Sequence, residues 1–429
     1  MRAFIVIWLG QAASLLGTNM TTFALTIWAF EQTGRATDLA LISFFFVVPL
    51  LIVSPFAGVM VDRSNRKLTM MISDLASGIV TIIIFLLLIS DNLQIWHLYI
   101  TSFLAGTFQT FQWPAYSAAI TTMLPKEHYG RANGLVDLAN SASGIFAPML
   151  AGAMLVFVSI KGVLIVDIIT FVVAVGSILF VHIPQPARTK AGQEGRGSVW
   201  RESVYGFHYI LRRPSLLGLQ LVFLGANFFG SMTRTLLAPM LLARTGNNEL
   251  IFGSVKSVAA IGGVVGALLM STWGGPKRLV HGVLLAWLCA GLFGRTLMGV
   301  GMSLYIWAMA GFFMAFFSPI INGSNQAIWQ AKVAPDVQGR VFAVRRLIAW
   351  IVIPFANLLV GPLADLVFEP AMAVDGNLAG AFGWLVGTGP GAGMALIMVF
   401  AGLAIALIAA SGYLFPVVRN AEDILLDYD

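Results

Sequence analysis

Two carboxylates that lie inside long apolar segments, Asp74 and Asp137, are the residues of this chain best placed to bind and release a proton. An ionised side chain at the centre of a bilayer costs roughly 2.5–3.5 kcal/mol, so it is retained where it has a function or finds a partner. At about 1.5 Å per helical residue, each lies roughly 10 Å inside its segment. A structural ion pair with neighbouring basic residues explains them equally well, and the sequence leaves both interpretations open.

Arg234 is the strongest candidate for a functional cation, because it lies well inside the apolar segment 215–242. Glu31 is a further proton-carrying candidate, although it belongs to a group of ionisable residues near the ends of apolar segments. For that group, capping and side chains that snorkel to the membrane interface are the favoured interpretation. The other members are Asp38, Asp167, Lys256, Arg295 and Asp365.

The sequence contains no pattern typical of catalysis or of metal or cofactor binding. The five histidines are scattered without metal-ligand spacing. A phosphate-binding GxxxxGK[ST] loop is absent, which excludes ATP hydrolysis through that motif. The single Cys289 lies in an apolar run and indicates packing. We therefore expect no catalytic residues, no metal and no cofactor, and the chain is not predicted to be an enzyme.

The elements that must position these residues follow from the composition. Hydrophobic residues make up 58% of the 429 residues and charged residues only 10%, with a mean hydropathy of +0.87. Soluble domains carry about 25% charged residues, so the chain is a polytopic membrane protein. Its net charge of +6 lies in short loops between apolar segments, which argues against nucleic-acid binding.

Twelve segments are long enough to span a bilayer, since a spanning helix needs about 20 mostly apolar residues. Of the 25 Lys and Arg residues, 19 fall in the loops on the side of the chain ends, so both termini are expected in the cytoplasm. The predicted fold is all-α, with an N-terminal six-helix bundle over 1–183, a cytoplasmic linker over 184–214 and a C-terminal six-helix bundle over 215–429. The predicted spans are 4–30, 39–60, 68–90, 95–120, 131–157, 162–183, 215–242, 250–273, 279–301, 303–330, 341–367 and 392–416.

The two halves repeat each other. Gly106-x-Phe108-x-x-Phe111-x-x-Pro114 matches Gly311-x-Phe313-x-x-Phe316-x-x-Pro319 in the corresponding span of the second half. Six-span units repeated in one orientation indicate two bundles related by an axis along the membrane normal, with a binding site at the repeat interface.

Polar stripes on several spans predict a central cavity lined by spans 1, 4, 7 and 10. Residues three or four apart share a helix face, and polar groups in hydrocarbon seek partners or water. Hydrogen bonds that hold helices together are the alternative explanation. The predicted lining residues are Gln11, Ser14, Thr18, Thr22, Trp28, Gln109, Gln112, Trp113, Tyr116, Asn227, Ser231, Asn322, Asn325 and Gln326.

The loop between spans 2 and 3 combines a carboxylate with three cations in Gly58-Val-Met-Val-Asp62-Arg63-Ser-Asn-Arg66-Lys67. This stretch and the twelve spans resemble the major facilitator superfamily, whose signature in this loop is G-x-x-x-D-[RK]-x-G-[RK]-[RK]. Asn65 replaces the second Gly, and Asn tolerates the left-handed conformation. The resemblance implies a transport-gating role, in which Asp62 meets the N-terminus of span 11 near Gly339. We expect Arg63 and Arg66 to pair with carboxylates, of which Glu127 is the nearest plausible one.

A second motif, Gly144-Ile-Phe-Ala-Pro148-Met-Leu-Ala-Gly152, is similar to the antiporter motif G-x-x-x-G-P-x-x-G-G of the same superfamily. In the family this helix marks exporters, and we expect its small residues to allow tight packing of span 5. The opening Trp8-Leu-Gly-Gln11 stretch resembles the macrolide-efflux branch, which is close to siderophore exporters. Span 4 departs from many drug:proton antiporters, because Gln109 and Gln112 stand where a buried Arg is usual.

Together these features predict a secondary transporter that exports amphipathic organic compounds, such as macrolide-like drugs, by alternating access and in exchange for protons. The expected partners are the small-molecule substrate, protons and the lipid bilayer, with no nucleic acid, and a monomer in the bacterial inner membrane. The alternatives are export of one metabolite such as a siderophore, movement of a lysolipid, and a membrane receptor or scaffold that does not transport.

Overall fold

The computed structural model describes residues 1–33, 36–186, 199–246, 248–425 and 427, and within these ranges the chain is helical with no β-strand. The predicted all-α fold is therefore confirmed. The helices are α1 (Arg2–Thr33), α2 (Ala36–Arg63), α3 (Arg66–Ile89), α4 (Ile95–Met123), α5 (Tyr129–Phe180), α6 (Val199–Leu211), α7 (Pro214–Arg244), α8 (Glu249–Trp273), α9 (Leu279–Cys289), α10 (Leu297–Val300), α11 (Leu304–Lys332), α12 (Gln338–Pro362), α13 (Glu369–Ala371), α14 (Ala379–Val386), α15 (Ala392–Leu414), α16 (Pro416–Arg419) and α17 (Ala421–Ile424).

Two breaks shape the helices of the first half. α2 carries Pro49 and Pro55 and bends by 45° between its two parts, as expected where proline removes a backbone hydrogen bond. α5 has 52 residues, far more than the roughly 20 that cross a bilayer. Its backbone leaves the helical region at Ser159, with φ 59° and ψ −179°. This break separates the predicted spans 5 and 6.

The number of spanning helices is consistent with the predicted twelve. Within the described ranges, nine helices are long and apolar enough to cross a membrane, and the bent α2 raises this number to ten. This number treats α5 as one helix, although the break at Ser159 divides it. It does not include α4, whose 29 residues are long enough to cross a bilayer. π-helical segments at Ala290–Thr296 and Leu363–Phe368 lengthen α9 and α12.

The chain divides into two compact units. Unit 1 contains Met1–Ile210, Gln330–Leu347 and Asp427–Asp429, and unit 2 contains Leu211–Trp329 and Ile348–Leu426. Unit 1 therefore takes in α6 and the start of α12. The boundaries 1–183, 184–214 and 215–429 stay a prediction.

The internal repeat is visible in how its glycines pack. In unit 1, a side chain at Gly106 of α4 would collide with the backbone of Phe46 in α2. In unit 2, the matching Gly311 of α11 faces the backbone of Val255 in α8, where an added Cβ would lie 3.3 Å from the carbonyl oxygen. Equivalent helix pairs thus approach closely through equivalent glycines, as small-residue motifs allow.

Candidate functional site

The carboxylate of Asp62, at the end of α2, caps the first turn of α12 inside unit 1. Asp62 Oδ1 accepts a hydrogen bond from the backbone N–H of Gly339 at 2.7 Å, and Oδ2 accepts one from that of Arg340 at 2.9 Å. The Nε of Arg340 donates to the same Oδ2 at 3.0 Å. Free N–H groups and the helix dipole favour an anion at this position. The contact that the family resemblance implies is present.

Glycines allow this close approach. A Cβ on Gly58 would lie 2.5 Å from the carbonyl oxygen of Gly339 and 2.8 Å from the Cα of Arg340. A Cβ on Gly339 would lie 2.5 Å from Asp62 Oδ1 and 2.6 Å from the carbonyl oxygen of Gly58. Neither position has room for a side chain, so both glycines are required for the Asp62 contact.

Glu202 of α6 extends the contact into a network of alternating charges. Its carboxylate forms a forked pair with Arg63, at 2.8 Å to Nη2 and 3.2 Å to Nε, and lies 3.5 Å from Arg340 Nη1. The guanidinium of Arg340 also lies over the ring of Tyr205, 5.4 Å from its centroid. Asp62, Arg340, Glu202 and Arg63 together are called the Asp62 cluster below. The side chains of Asp62, Arg340 and Glu202 are at most 5% exposed, so their charges are little screened.

The sequence does not predict Glu202 as the partner of Arg63, because 184–214 has the composition of an irregular linker and Glu127 is the nearest plausible carboxylate. A usable signal was present: Trp200, Val204 and Phe207 follow one another at helical spacing, with Glu202 among them. The second half of that linker is helix α6.

Arg66 binds backbone carbonyls rather than the predicted carboxylate, and Lys67 also binds backbone carbonyls. The buried Arg66 donates to the carbonyl oxygens of Ala118, at 2.6 Å, and of Pro335. Lys67 donates to the carbonyls of Leu179 and Val181 at the end of α5, at 2.8 and 2.9 Å. Cations are favourable at helix C-termini, where carbonyls lack partners.

Asn65 does not adopt the left-handed conformation that it could tolerate in place of the family's glycine. Asn65 has φ −69° and ψ 118°, and its side chain accepts a hydrogen bond from the N–H of Leu68 at 3.3 Å. Asn is among the preferred N-cap residues, so this position starts α3 instead of forming a left-handed turn.

Asp74 is the centre of a second group of polar side chains inside unit 1. Gln11 of α1 donates to its Oδ2 at 2.6 Å, and Gln112 of α4 donates to its Oδ1 at 2.8 Å. Gln112 also donates to Gln11 Oε1 at 2.9 Å, which closes a three-residue ring across α1, α3 and α4. Within the described ranges Asp74 has no ion pair. The hydroxyl of Tyr116 and the Oε1 of Gln112 are buried without a hydrogen-bond partner.

This arrangement can hold a proton. An ionised carboxylate away from water is costly unless it is paired, and here two neutral amide donors are its only hydrogen-bond partners in the described chain. A protonated Asp74 gains a donor of its own, while Gln112 Oε1 beside it is an unused acceptor. The structure thus brings together Gln11, Asp74, Gln112 and Tyr116, which the sequence predicted separately as a proton carrier and cavity residues.

The remaining proton-coupling candidates lie elsewhere. Asp137 lies on α5 and makes no hydrogen bond or ion pair in the part of the chain that the structure describes. Glu31 is exposed near the end of α1, and Arg234 is exposed on α7. None of the three is hydrogen-bonded or ion-paired to Asp74 in the described chain.

The snorkelling interpretation is wrong for three members of the outer group. Asp38 is 7% exposed, and its Oδ1 accepts a hydrogen bond from the hydroxyl of Tyr99 at 2.7 Å. Asp167 is only 2% exposed, and its oxygens accept hydrogen bonds from Thr18 at 3.2 Å and Thr81 at 3.1 Å. Arg295 is 8% exposed and lies over the ring of Trp287, 5.5 Å from its centroid. All three side chains are held in helix packing and do not reach the surface.

The packing expected for the antiporter motif is made by its alanines and not by its glycines. A Cβ added to Gly144 or Gly152 would meet no atom of the described chain within 4 Å. Ala147 and Ala151, which replace two glycines of the family motif, are fully buried against α1. Pro148, between them, is partly buried.

The other predicted cavity residues of unit 1 have mixed surroundings. Thr22 is exposed, and its hydroxyl donates to the carbonyl of Thr18 at 2.8 Å. Trp113 stacks under the guanidinium of Arg346, 5.1 Å from its ring centroid. Gln109 is exposed, Ser14 is partly buried, and Trp28 packs against an apolar cluster.

In unit 2 the predicted lining residues also have mixed surroundings. Ser231 donates to Asn357 Oδ1 at 2.7 Å, and Asn227 donates to the carbonyl of Ala349 at 3.3 Å. Asn325 is 2% exposed and Gln326 is 7% exposed, which fits the packing alternative better than a cavity wall. Asn322 is exposed.

An all-helical chain of this length, with membrane-length apolar helices and a carboxylate-bearing loop that caps a second-half helix, belongs to the class of polytopic membrane transporters. The family model of the Major Facilitator Superfamily matches residues 7–357. The chain is a member of the Major Facilitator Superfamily, and it is a transporter and not an enzyme.

Its relatives include efflux proteins. Macrolide efflux protein A of Streptococcus pyogenes is 26% identical over 382 residues, which cover 84% of this chain and 89% of that protein. The staphyloferrin A transporter of Staphylococcus aureus is 24% identical over 83% of this chain and 86% of its own length. Among solved structures, a bacterial homologue of the iron transporter ferroportin in an outward-facing state matches with a TM-score of 0.68 and 13% identity, covering 96% of this chain and 100% of that one.

Proposed function

We propose that the protein exports amphipathic organic compounds of the macrolide type in exchange for protons, with Asp74 as the proton-binding residue. The observation that carries the proposal is the ring of Gln11, Asp74 and Gln112. It places a carboxylate with neutral partners only, where the described chain offers no cation in ion-pair contact. The relationship to macrolide efflux protein A supports the substrate class. The proposed setting is a monomer in the bacterial inner membrane with both termini in the cytoplasm.

The charge of Asp74 would couple export of the substrate to movement of protons. Ionised, it holds the amides of Gln11 and Gln112 as donors and fixes α1, α3 and α4 to one another. Protonated, it offers a hydroxyl donor, so the ring can rearrange toward the unused Gln112 Oε1. A change in proton binding thereby shifts the balance between two helix arrangements, which is the requirement for alternating access.

The Asp62 cluster would serve as the gate. Its contact exists only while the end of α2 lies against the start of α12, so the cluster stabilises one of the two access states. The sequence counterpart in the second half, Trp273 to Arg278, lacks an acid of its own. There Arg278 instead pairs with Asp423 of α17 at 3.2 Å between two half-exposed side chains. We infer that the gate is stronger in the first repeat than in the second.

The test is erythromycin uptake driven by a pH gradient in liposomes that contain the purified full-length protein. With an imposed pH gradient, we expect erythromycin accumulation in the wild type and none in Asp74→Asn. Asp91→Asn is the matched control, because Asp91 is exposed at the end of α3 and its φ of 55° suits Asn equally well. Gradient-driven accumulation in Asp74→Asn at the wild-type level would remove Asp74 from the mechanism.

Asp137→Asn distinguishes the two predicted carboxylates. If Asp137→Asn abolishes gradient-driven transport while Asp74→Asn retains it, Asp137 is the proton carrier. If both variants transport normally, the coupling ion is not carried by either residue.

Export of a siderophore is the second candidate, favoured by the relationship to the staphyloferrin A transporter. The same liposomes loaded with purified staphyloferrin A discriminate the two. Siderophore movement together with a flat response to erythromycin, dyes and chloramphenicol would replace the drug-export proposal.

A further inference from the structure

We propose that Arg295 and Arg234 of unit 2 form a binding site for an anionic group, a carboxylate or phosphate, of the transported amphipath. The inference rests on the proposed export function and adds a second class of substrate to it. This class is negatively charged at one end, unlike erythromycin, which carries a basic amine.

The guanidinium of Arg295 has one edge that no group of the described residues satisfies. Its Nη1 donates to the carbonyl of Ala290 at 3.3 Å, on the opposite edge. Its Nε is buried without a hydrogen-bond partner, and Nη2 makes no hydrogen bond to any described residue. Nε and Nη2 together form the fork that binds a carboxylate or phosphate through two parallel hydrogen bonds. The side chain is 8% exposed, so water has little access to the Nε and Nη2 donors.

That open edge is directed at a glycine. A Cβ on Gly230 of α7 would lie 3.4 Å from Arg295 Nη2 and 3.8 Å from its Nε. A methyl group at Gly230 would therefore be in van der Waals contact with the fork, and the glycine leaves that edge uncovered. The residue one helical turn further along α7 is Arg234, on the same side of the helix. It is exposed, and it lies close enough to Arg295 for the two positive charges to repel.

Two cations near each other need a counter-ion. Neither Arg234 nor Arg295 forms an ion pair within the described part of the chain, and the ring of Trp287 meets only the face of Arg295. Arg295 also lies in the π-helical segment Ala290–Thr296, a local irregularity that often accompanies functional sites. An anion bound by both guanidinium groups would remove the repulsion and complete the fork.

Fluorescent probes of one shape and three charges test the site. The full-length protein in phosphatidylcholine nanodiscs is titrated with 4-(1-pyrenyl)butyrate, its primary amide and 4-(1-pyrenyl)butylamine. Charge-assisted hydrogen bonds predict that the carboxylate binds about tenfold to a hundredfold more tightly than the amide. Arg234→Gln should abolish that preference, and Arg234→Lys should retain most of it. Lys256→Gln, an exposed cation on α8, is the matched control and should leave the preference unchanged.

A variant without a charge change tests the fork itself. Gly230→Ala places a methyl group beside Nε and Nη2 and should reduce carboxylate binding, with amide binding unaffected. Arg295→Lys keeps the charge but removes the fork, and it should have the same effect. These outcomes support the site even if Arg295→Gln fails to fold.

Several results would overturn the assignment. Equal binding of the three probes by the wild type would refute an anion site, while erythromycin transport would leave the export proposal standing. A carboxylate preference that survives in both Arg234→Gln and Gly230→Ala would place the anion elsewhere. If phosphatidylglycerol in the nanodiscs removes the preference and the butyrate is not transported, the occupant is a lipid headgroup and the substrate assignment fails. Absence of transport for every compound would refute the export proposal instead.

Discussion

Replacing Asp62 by Asn tests the gate most directly, because the side chain keeps its size and loses only its charge and one acceptor. In the structure, three donors converge on the two carboxylate oxygens: the N–H groups of Gly339 and Arg340 and the Nε of Arg340. An Asn can place its oxygen toward Arg340, but its NH2 group then faces the N–H of Gly339. The NH2 group and the N–H of Gly339 are both donors, so the charge-assisted hydrogen bond of 2.7 Å would be replaced by a contact between two buried donors.

The expected cost follows from these contacts. Breaking a buried pair by removing one charge costs about 3–5 kcal/mol. At 1.4 kcal/mol for each factor of ten, the capped arrangement of α2 and α12 should become roughly a hundredfold to several thousandfold less populated relative to the released one. We expect transport to fall strongly, while the amount of protein inserted in the membrane stays the same.

Hydrogen exchange of the peptide that contains Gly339 and Arg340 measures the release separately from transport. Exchange of these amides should accelerate by a comparable factor in Asp62→Asn. Asp423→Asn is the control, since its pair with Arg278 is half exposed and such pairs contribute at most about 1 kcal/mol. If exchange and transport in Asp62→Asn match the wild type, the stretch around Asp62 is a topological anchor and the gate assignment is wrong.

The other variants examine single contacts of the same unit, and thermal unfolding in detergent reads each of them out. Gly58→Val should lower the free energy of unfolding by about 1–3 kcal/mol through overpacking against Gly339. Gly152→Ala should leave it unchanged or raise it by up to about 1 kcal/mol, because an added Cβ would meet no described atom within 4 Å. Equal effects of the two variants would contradict the packing described. Glu202→Gln should destabilise more than Arg63→Gln, because Glu202 is buried and meets two guanidinium groups while Arg63 is 47% exposed. A larger loss in Arg63→Gln would show that the pair acts mainly through its exposed member.

The sequence was sufficient for the features that depend on local pattern. Apolar runs predicted the helices, and the loop motif from Gly58 to Lys67 carried the family resemblance that implies the Asp62 contact with the start of α12. Periodicity also placed Gln11 and Gln112 on inward faces. It could not show that both amides meet Asp74, since that requires the side-by-side packing of α1, α3 and α4.

Other features depend on tertiary context that a single sequence does not contain. The sequence does not reveal Glu202, because the basic stretch that precedes α6 contains Gly and Pro and weakens the helical pattern of this short segment. Asp167 and Arg295 were placed at the interface from their position in the chain, whereas packing buries both. The glycines of the antiporter motif read as packing residues because their neighbours are small, yet the alanines between them make the contact.

The make-up of unit 1 has a consequence for dividing or recombining this transporter. Its residues come from separate stretches of chain, and the second-half stretch Gln330–Leu347 supplies the backbone that Asp62 caps. No single cut can therefore yield two self-sufficient fragments. A cut before Val199 leaves Glu202 on the second piece, and a cut after Leu211 still separates Asp62 from Gly339. Co-expressed halves must rebuild the Asp62 cluster between two molecules, and chimaeras with a related exporter must exchange the loop at Gly58–Lys67 together with the start of α12.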